Sequence, residues 1–105
     1  MPDLTSKQRA HLRGLAHPVR PLVHVGKEGV TAAALRSLRQ AFATRELVKV
    51  KVLDNAPEAP RETGQALAEG VDDCTVVQTV GRTVTLYRAD PKTPTIKLPK
   101  AEARP

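Results

Sequence analysis

The chain has 105 residues, 40% of them apolar, enough for one compact core and too few for two domains with separate cores. Lys and Arg outnumber Asp and Glu by 17 to 11, for a pI near 10, which points to a polyanionic partner, nucleic acid before an anionic membrane surface. No apolar run approaches the roughly 20 residues of a membrane span and no apolar signal-peptide core is present, so a cytoplasmic protein without membrane contact is expected.

Thr5 followed three residues later by Gln8 is a capping-box pattern, and Leu12, Leu15 and Ala16 form one apolar stripe, predicting a helix over 6–16. Pro18 and Pro21 push His17 and Arg20 extended and end that helix, so Leu22-Val23-His24-Val25 reads as a short strand. Gly26-Lys27-Glu28-Gly29 breaks the strand. Thr31 then caps a second helix starting near Ala32, with Ala34, Leu35, Leu38 and Phe42 on one face and Arg36, Arg39 and Arg45 largely off it. Over 47–53, Val48, Val50 and Val52 alternate with Lys49 and Lys51, a half-buried strand with a basic outer row. Strand, helix and strand make a βαβ unit, so these two strands are expected parallel with a right-handed connection, and the glycine loop falls at a strand's carboxyl end.

A weaker helix is expected over 59–71, entered through Pro57 and Pro60, carrying Ala66, Leu67 and Val71 and weakened by Gly64 and Gly70. Two β-branched runs, 74–80 and 83–88, are joined by Gly81-Arg82, and Gly at the first of two loop positions suits a type II′ hairpin. Past Arg88, Pro91, Pro94, Pro99 and Pro105 alternate with Lys92, Lys97, Lys100 and Arg104. The expectation is a domain over 1–90 and a mobile basic tail over 91–105 that could add non-specific phosphate contacts. The element order αβαβαββ predicts an α/β (α+β) fold of two layers with a four-stranded mixed sheet, an architecture many functions share.

Charge is unevenly placed. Residues 1–53 hold ten basic side chains against three acidic ones, whereas Asp54, Glu58, Glu62, Glu69, Asp72 and Asp73 are opposed only by Arg61, so the stretch 54–73 should face away from RNA. The candidate site is Gly26-Lys27-Glu28-Gly29: its glycines allow a tight turn and close backbone approach, and the helix start behind it favours phosphate. A GxxG loop clamps the backbone of a few nucleotides in KH-type RNA binders, although the bare pattern also marks ordinary turns. Arg20 ahead of the first strand, Lys27 in the loop, and Lys49 and Lys51 on the neighbouring strand could gather phosphate-directed charge on one surface. Glu28 should repel phosphate unless it points outward or pairs with Lys27.

Other chemistries find little support. Phe42 lies on the apolar helix face and Tyr87 reads as core or rim, so base stacking on aromatics is not the main mode. His11, His17 and His24 match no common zinc spacing, Ser6 and Ser37 lack a nucleophile-elbow setting, and Asp72-Asp73 reads as a turn. His17 reads as closing the first helix. Cys74, the single cysteine, fits a small buried position. No catalytic residue, metal or cofactor is expected.

Four ordered blocks resemble the CRM domain family, in particular its stand-alone bacterial YhbY-like members: Leu12-Arg13-Gly14-Leu15-Ala16-His17-Pro18, Val25-Gly26-Lys27-Glu28-Gly29-Val30-Thr31, Glu46-Leu47-Val48-Lys49-Val50-Lys51-Val52, and Val80-Gly81-Arg82 with Leu86-Tyr87-Arg88. The resemblance covers roughly residues 5–88. It implies an αβαβαββ fold similar to the C-terminal domain of bacterial translation initiation factor 3, with a KH-like GxxG loop in which Gly26, Lys27 and Gly29 match the positions for RNA contact. Bacterial members of the family are linked to large-subunit ribosome precursors, and plant relatives assist splicing of organellar introns. The function expected is therefore non-enzymatic: a monomeric RNA-binding factor for ribosomal RNA in assembly of the large (50S) subunit. The alternative is a basic adaptor that docks an acidic protein.

Overall fold

The computed structural model describes residues 4–99. Its elements are α1 (Ser6–Ala16), β1 (Pro21–Val25), α2 (Ala32–Phe42), β2 (Leu47–Val52), α3 (Pro60–Gly70), β3 (Thr75–Val80) and β4 (Thr83–Tyr87), the expected order with ends shifted by a residue or so. Local chemistry explains most of these limits. Thr5 and Gln8 complete the capping box of α1, and the Thr31 hydroxyl accepts from the Ala34 N–H to start α2. Pro60 opens α3 at its first turn, where its missing N–H costs nothing. Gly81 has φ +57 while Arg82 does not share a positive φ, the combination a type II′ turn requires between the paired Val80 and Thr83. Asp73, at φ 59, turns the chain from α3 into β3.

The sheet is four-stranded and mixed, in the order β1-β2-β4-β3. β1 and β2 run parallel, as the βαβ reading requires, and the other two pairings are antiparallel. Val23, Val25, Val48, Val50, Val52, Val84 and Leu86 face α2 and α3, whose Leu38, Phe42 and Leu67 complete the main core. The glycines that weaken α3 let it approach closely: a Cβ at Gly64 would stand 2.7 Å from Val84 and one at Gly70 would stand 2.6 Å from Leu35.

The two-layer expectation describes α2 and α3 over the sheet; α1 stands on the opposite face. There Leu12 and Ala16 pack with Leu47, Val77 and Tyr87 in a second, smaller core. The C-terminal segment joins it, with Ile96 and Leu98 against this core and Pro99 accepting from the Gln8 side chain at 2.9 Å. Packing thus continues past the domain end expected at residue 90. The reason is Glu46, buried at 5% exposure, whose carboxylate accepts from the N–H groups of Asp90, Thr95 and Ile96 and from the Thr95 hydroxyl at 2.6–2.9 Å. Burial on its own would raise the Glu46 carboxyl, but those hydrogen bonds outweigh it and hold the group below its ordinary range. Residues 100–105, with Lys100 and Arg104 of the expected basic tail, lie outside the described residues.

Candidate nucleic-acid interface

The glycine loop leaves β1 at its carboxyl end. Gly29 N–H donates to the Gly26 carbonyl at 2.9 Å, which makes Lys27 and Glu28 the two exposed central residues of a tight turn. Gly29 has φ +71, and a side chain there would meet Pro57 Cγ at 2.9 Å. Gly26 sits on Leu53 and Asn55, at 3.3 and 3.6 Å from where its Cβ would be. The loop therefore rests on the segment just past β2, and Asp54, Asn55 and Pro57 adjoin it. The stretch 54–73 was expected to face away from RNA. Its first residues instead support the loop, because parallel strands bring the ends of β1 and β2 together.

Arg82, at the tip of the β3–β4 hairpin, fixes that support. Its guanidinium donates to the carbonyls of Val52 and Leu53 at 2.9 and 2.8 Å and pairs with Asp54 at 3.1 Å, while its own carbonyl accepts from Val52 N–H at 2.8 Å. Leu53 N–H in turn donates to the Val25 carbonyl at 2.8 Å, which ties hairpin, β2 and loop base into one unit. Arg82 carries a family block in the sequence but its role was not read there, since the contact depends on how the hairpin registers against β2.

The predicted phosphate-directed residues are brought together only in part. Lys51 pairs across with His24, one position before the loop-proximal pair Val25 and Val52, so it stands closest to Lys27. Lys49 follows two residues back on the same sheet face, roughly 7 Å away. Arg20 precedes β1 and lies at the strand's other end, about 20 Å along it from Gly26, so it does not join the loop. Among the described residues, Arg9, Arg39, Arg45, Arg82 and Arg88 donate to backbone carbonyls of the fold. Lys27, Lys49, Lys51 and Arg20 make no such bond there and no ion pair, and Glu28 pairs with no cation.

Cys74 is buried, as expected; burial pushes its thiol up to about 12, against a smaller lowering by Arg88, which keeps it protonated and unreactive. Tyr87 is buried too and offers no exposed stacking ring. His17 holds the C-cap of α1, its backbone N–H donating to the Gly14 carbonyl at 3.4 Å. Among the described residues no helix is long and apolar enough to cross a membrane, and no group of three His, Cys, Asp or Glu side chains is placed to hold a metal.

These features define the class first: an α+β domain whose uncommitted lysines gather at a strand-end turn framed by two glycines. The chain belongs to the CRS1 / YhbY (CRM) domain family, whose profile matches residues 4–88. It is 38% identical over 96 residues to the probable RNA-binding protein YqeI of Bacillus subtilis, covering 91% of this chain and 99% of that one. It is 37% identical over 91 residues to an RNA-binding protein of Haemophilus influenzae, covering 84% and 88% of the two chains. The solution structure of the hypothetical protein SAV1595 from Staphylococcus aureus superposes with a TM-score of 0.77 at 33% identity, over 92% of this chain and all of that one.

Proposed function

We propose that this protein is a non-enzymatic, monomeric, cytoplasmic RNA-binding factor that engages ribosomal RNA of the large (50S) subunit precursor through Gly26-Lys27-Glu28-Gly29 and Lys51. The observation that carries the reading is the rigid turn that holds Lys27 outward beside Lys51, both without partners of their own in the fold. A strand-end turn of this kind gives phosphate a backbone surface free of side chains at Gly26 and Gly29 and a cation on each flank. Lys49 extends the positive row along β2, and Arg20 would meet a bound RNA only at a second point. RNA as the ligand is supported by the names of the relatives, and the ribosomal target rests on the family resemblance.

The test replaces Lys27 and Glu28 together by aspartate and measures binding of large-subunit ribosomal RNA fragments by fluorescence anisotropy across a salt series. We expect an unchanged circular dichroism spectrum, a loss of affinity of about tenfold or more, and a shallower salt dependence. A folded double variant that binds as tightly as the parent would falsify the reading. Binding of a protein partner that survives nuclease treatment would favour the adaptor instead.

A further inference from the structure

A groove of about 350 Å³ opens beside the loop, between the outer edge of β1 and the first turns of α2, with the glycine turn across one end. On the helix side its wall is Ala33, Ala34 and Ser37, small residues that leave the helix surface close and flat; on the strand side stand Leu22 and His24. β1 is an outer strand of the sheet. In a parallel ladder, both backbone groups of alternate residues point to the same neighbour. The Val25 carbonyl accepts from Leu53, so Val23 and Val25 turn towards β2, and Leu22 and His24 turn their N–H and C=O outward. Among the described residues no further backbone bond reaches either of them. Leu22 is 50% exposed and His24 is exposed.

Resting on the reading of the loop given above, we infer that this groove takes unpaired RNA nucleotides. Their bases would lie between the β1 edge and the small residues of α2, and their phosphates would follow the turn at Lys27. The edge offers alternating donors and acceptors, the complement of a base's Watson–Crick edge, which is available only when the base is not already paired. The groove is at the small end of ligand-sized clefts, so it accommodates flat rings and excludes a duplex. A peptide strand added to the edge fits less well. Only two residues present outward groups, Pro21 closes the run, and the cations beside the groove match a polyanion.

The experiment compares a short unstructured RNA with a blunt RNA duplex of the same length, by anisotropy, for the parent protein, for Ser37→Leu and for the double-aspartate loop variant. Leucine at this exposed helix position fills the groove and suits the helix; Ala33→Leu fills it from the preceding turn and replaces the first variant if that one does not fold by circular dichroism. We expect the parent to prefer the single strand and Ser37→Leu to weaken that binding about tenfold, the loss of two ordinary hydrogen bonds, with the salt slope and the duplex binding unmoved. Equal binding of duplex and single strand by the parent, or tight single-strand binding by a folded groove-filled variant, overturns the groove while leaving the loop reading intact. If the loop variant itself binds undiminished, it is the loop reading that fails. If the parent dimerises in sedimentation and Ser37→Leu abolishes the dimer without touching RNA affinity, the edge serves a second copy, and the proposal is overturned.

Discussion

Replacing Arg82 with alanine removes the two hydrogen bonds to the Val52 and Leu53 carbonyls and the pair with Asp54 in one step. The ion pair adds little, because the Asp54 side chain is 96% exposed and water screens it. The hydrogen bonds come from a charged donor, worth roughly 1.5–3 kcal/mol each when dry, but the Arg82 side chain is 38% exposed and the freed carbonyls can turn to water. Together the loss comes to about 2 kcal/mol, which for a domain of this size lowers the urea midpoint by roughly 1.5 M. RNA affinity should then fall several-fold, because the segment under the glycine turn loses its anchor. The slope of log K against log salt should not change, because no phosphate contact has gone. Lys27→Ala gives the opposite pattern: an unchanged urea midpoint and a slope reduced by about 0.7 to 0.9. Arg82→Lys should recover only part of the stability, since an ammonium cannot fork between two carbonyls. An Arg82→Ala protein with parental urea stability and a slope as shallow as that of Lys27→Ala would refute the reasoning and make Arg82 a direct phosphate ligand.

Glu28→Gln should tighten RNA binding roughly threefold at low salt and by less at physiological salt, since it removes an unpaired surface carboxylate from beside the phosphate path; a salt titration of the two proteins side by side reads this directly. Glu46→Gln sets an amide N–H₂ against one of the N–H donors that the carboxylate accepts, and should cost about 2 kcal/mol in urea denaturation, with faster amide exchange at Thr95 and Ile96. The Glu46 carboxyl is lowered in the folded protein, so its stabilisation is fully present above the ordinary glutamate range, about 4.3, and disappears as the pH falls through the folded value. Acid titration of stability should therefore be steeper for the parent than for Glu46→Gln below that range.

The local signals proved sufficient for the fold. The Thr5–Gln8 box, the Thr31 cap, the Val48, Val50 and Val52 alternation and Gly81-Arg82 each depend on residues within a few positions of one another, and each element appears where these place it. What depends on register between distant segments was not legible. The six residues from Arg20 to Gly26 look close in sequence, yet an extended strand carries them to opposite ends of β1. Asp54 and Pro57 counted only as the start of an acidic, Pro-rich stretch until the parallel pairing put them under the loop. The side of the sheet that α1 covers follows from Leu47, the one apolar residue on the lysine-bearing face of β2, a signal visible in the sequence but ambiguous without the tail that packs beside it.

The carboxylate of Glu46 separates two meanings of a domain boundary. Shared ancestry, as measured by the family match, ends at residue 88. The folded unit ends later, because a buried anion at the start of β2 draws its donors from Asp90, Thr95 and Ile96. A chain cut at the limit of homology would keep the anion and lose its donors, and would expose the Leu12 side of the sheet once shielded by Ile96 and Leu98. In this protein, ten residues with no regular secondary structure belong to the core as fully as a strand does.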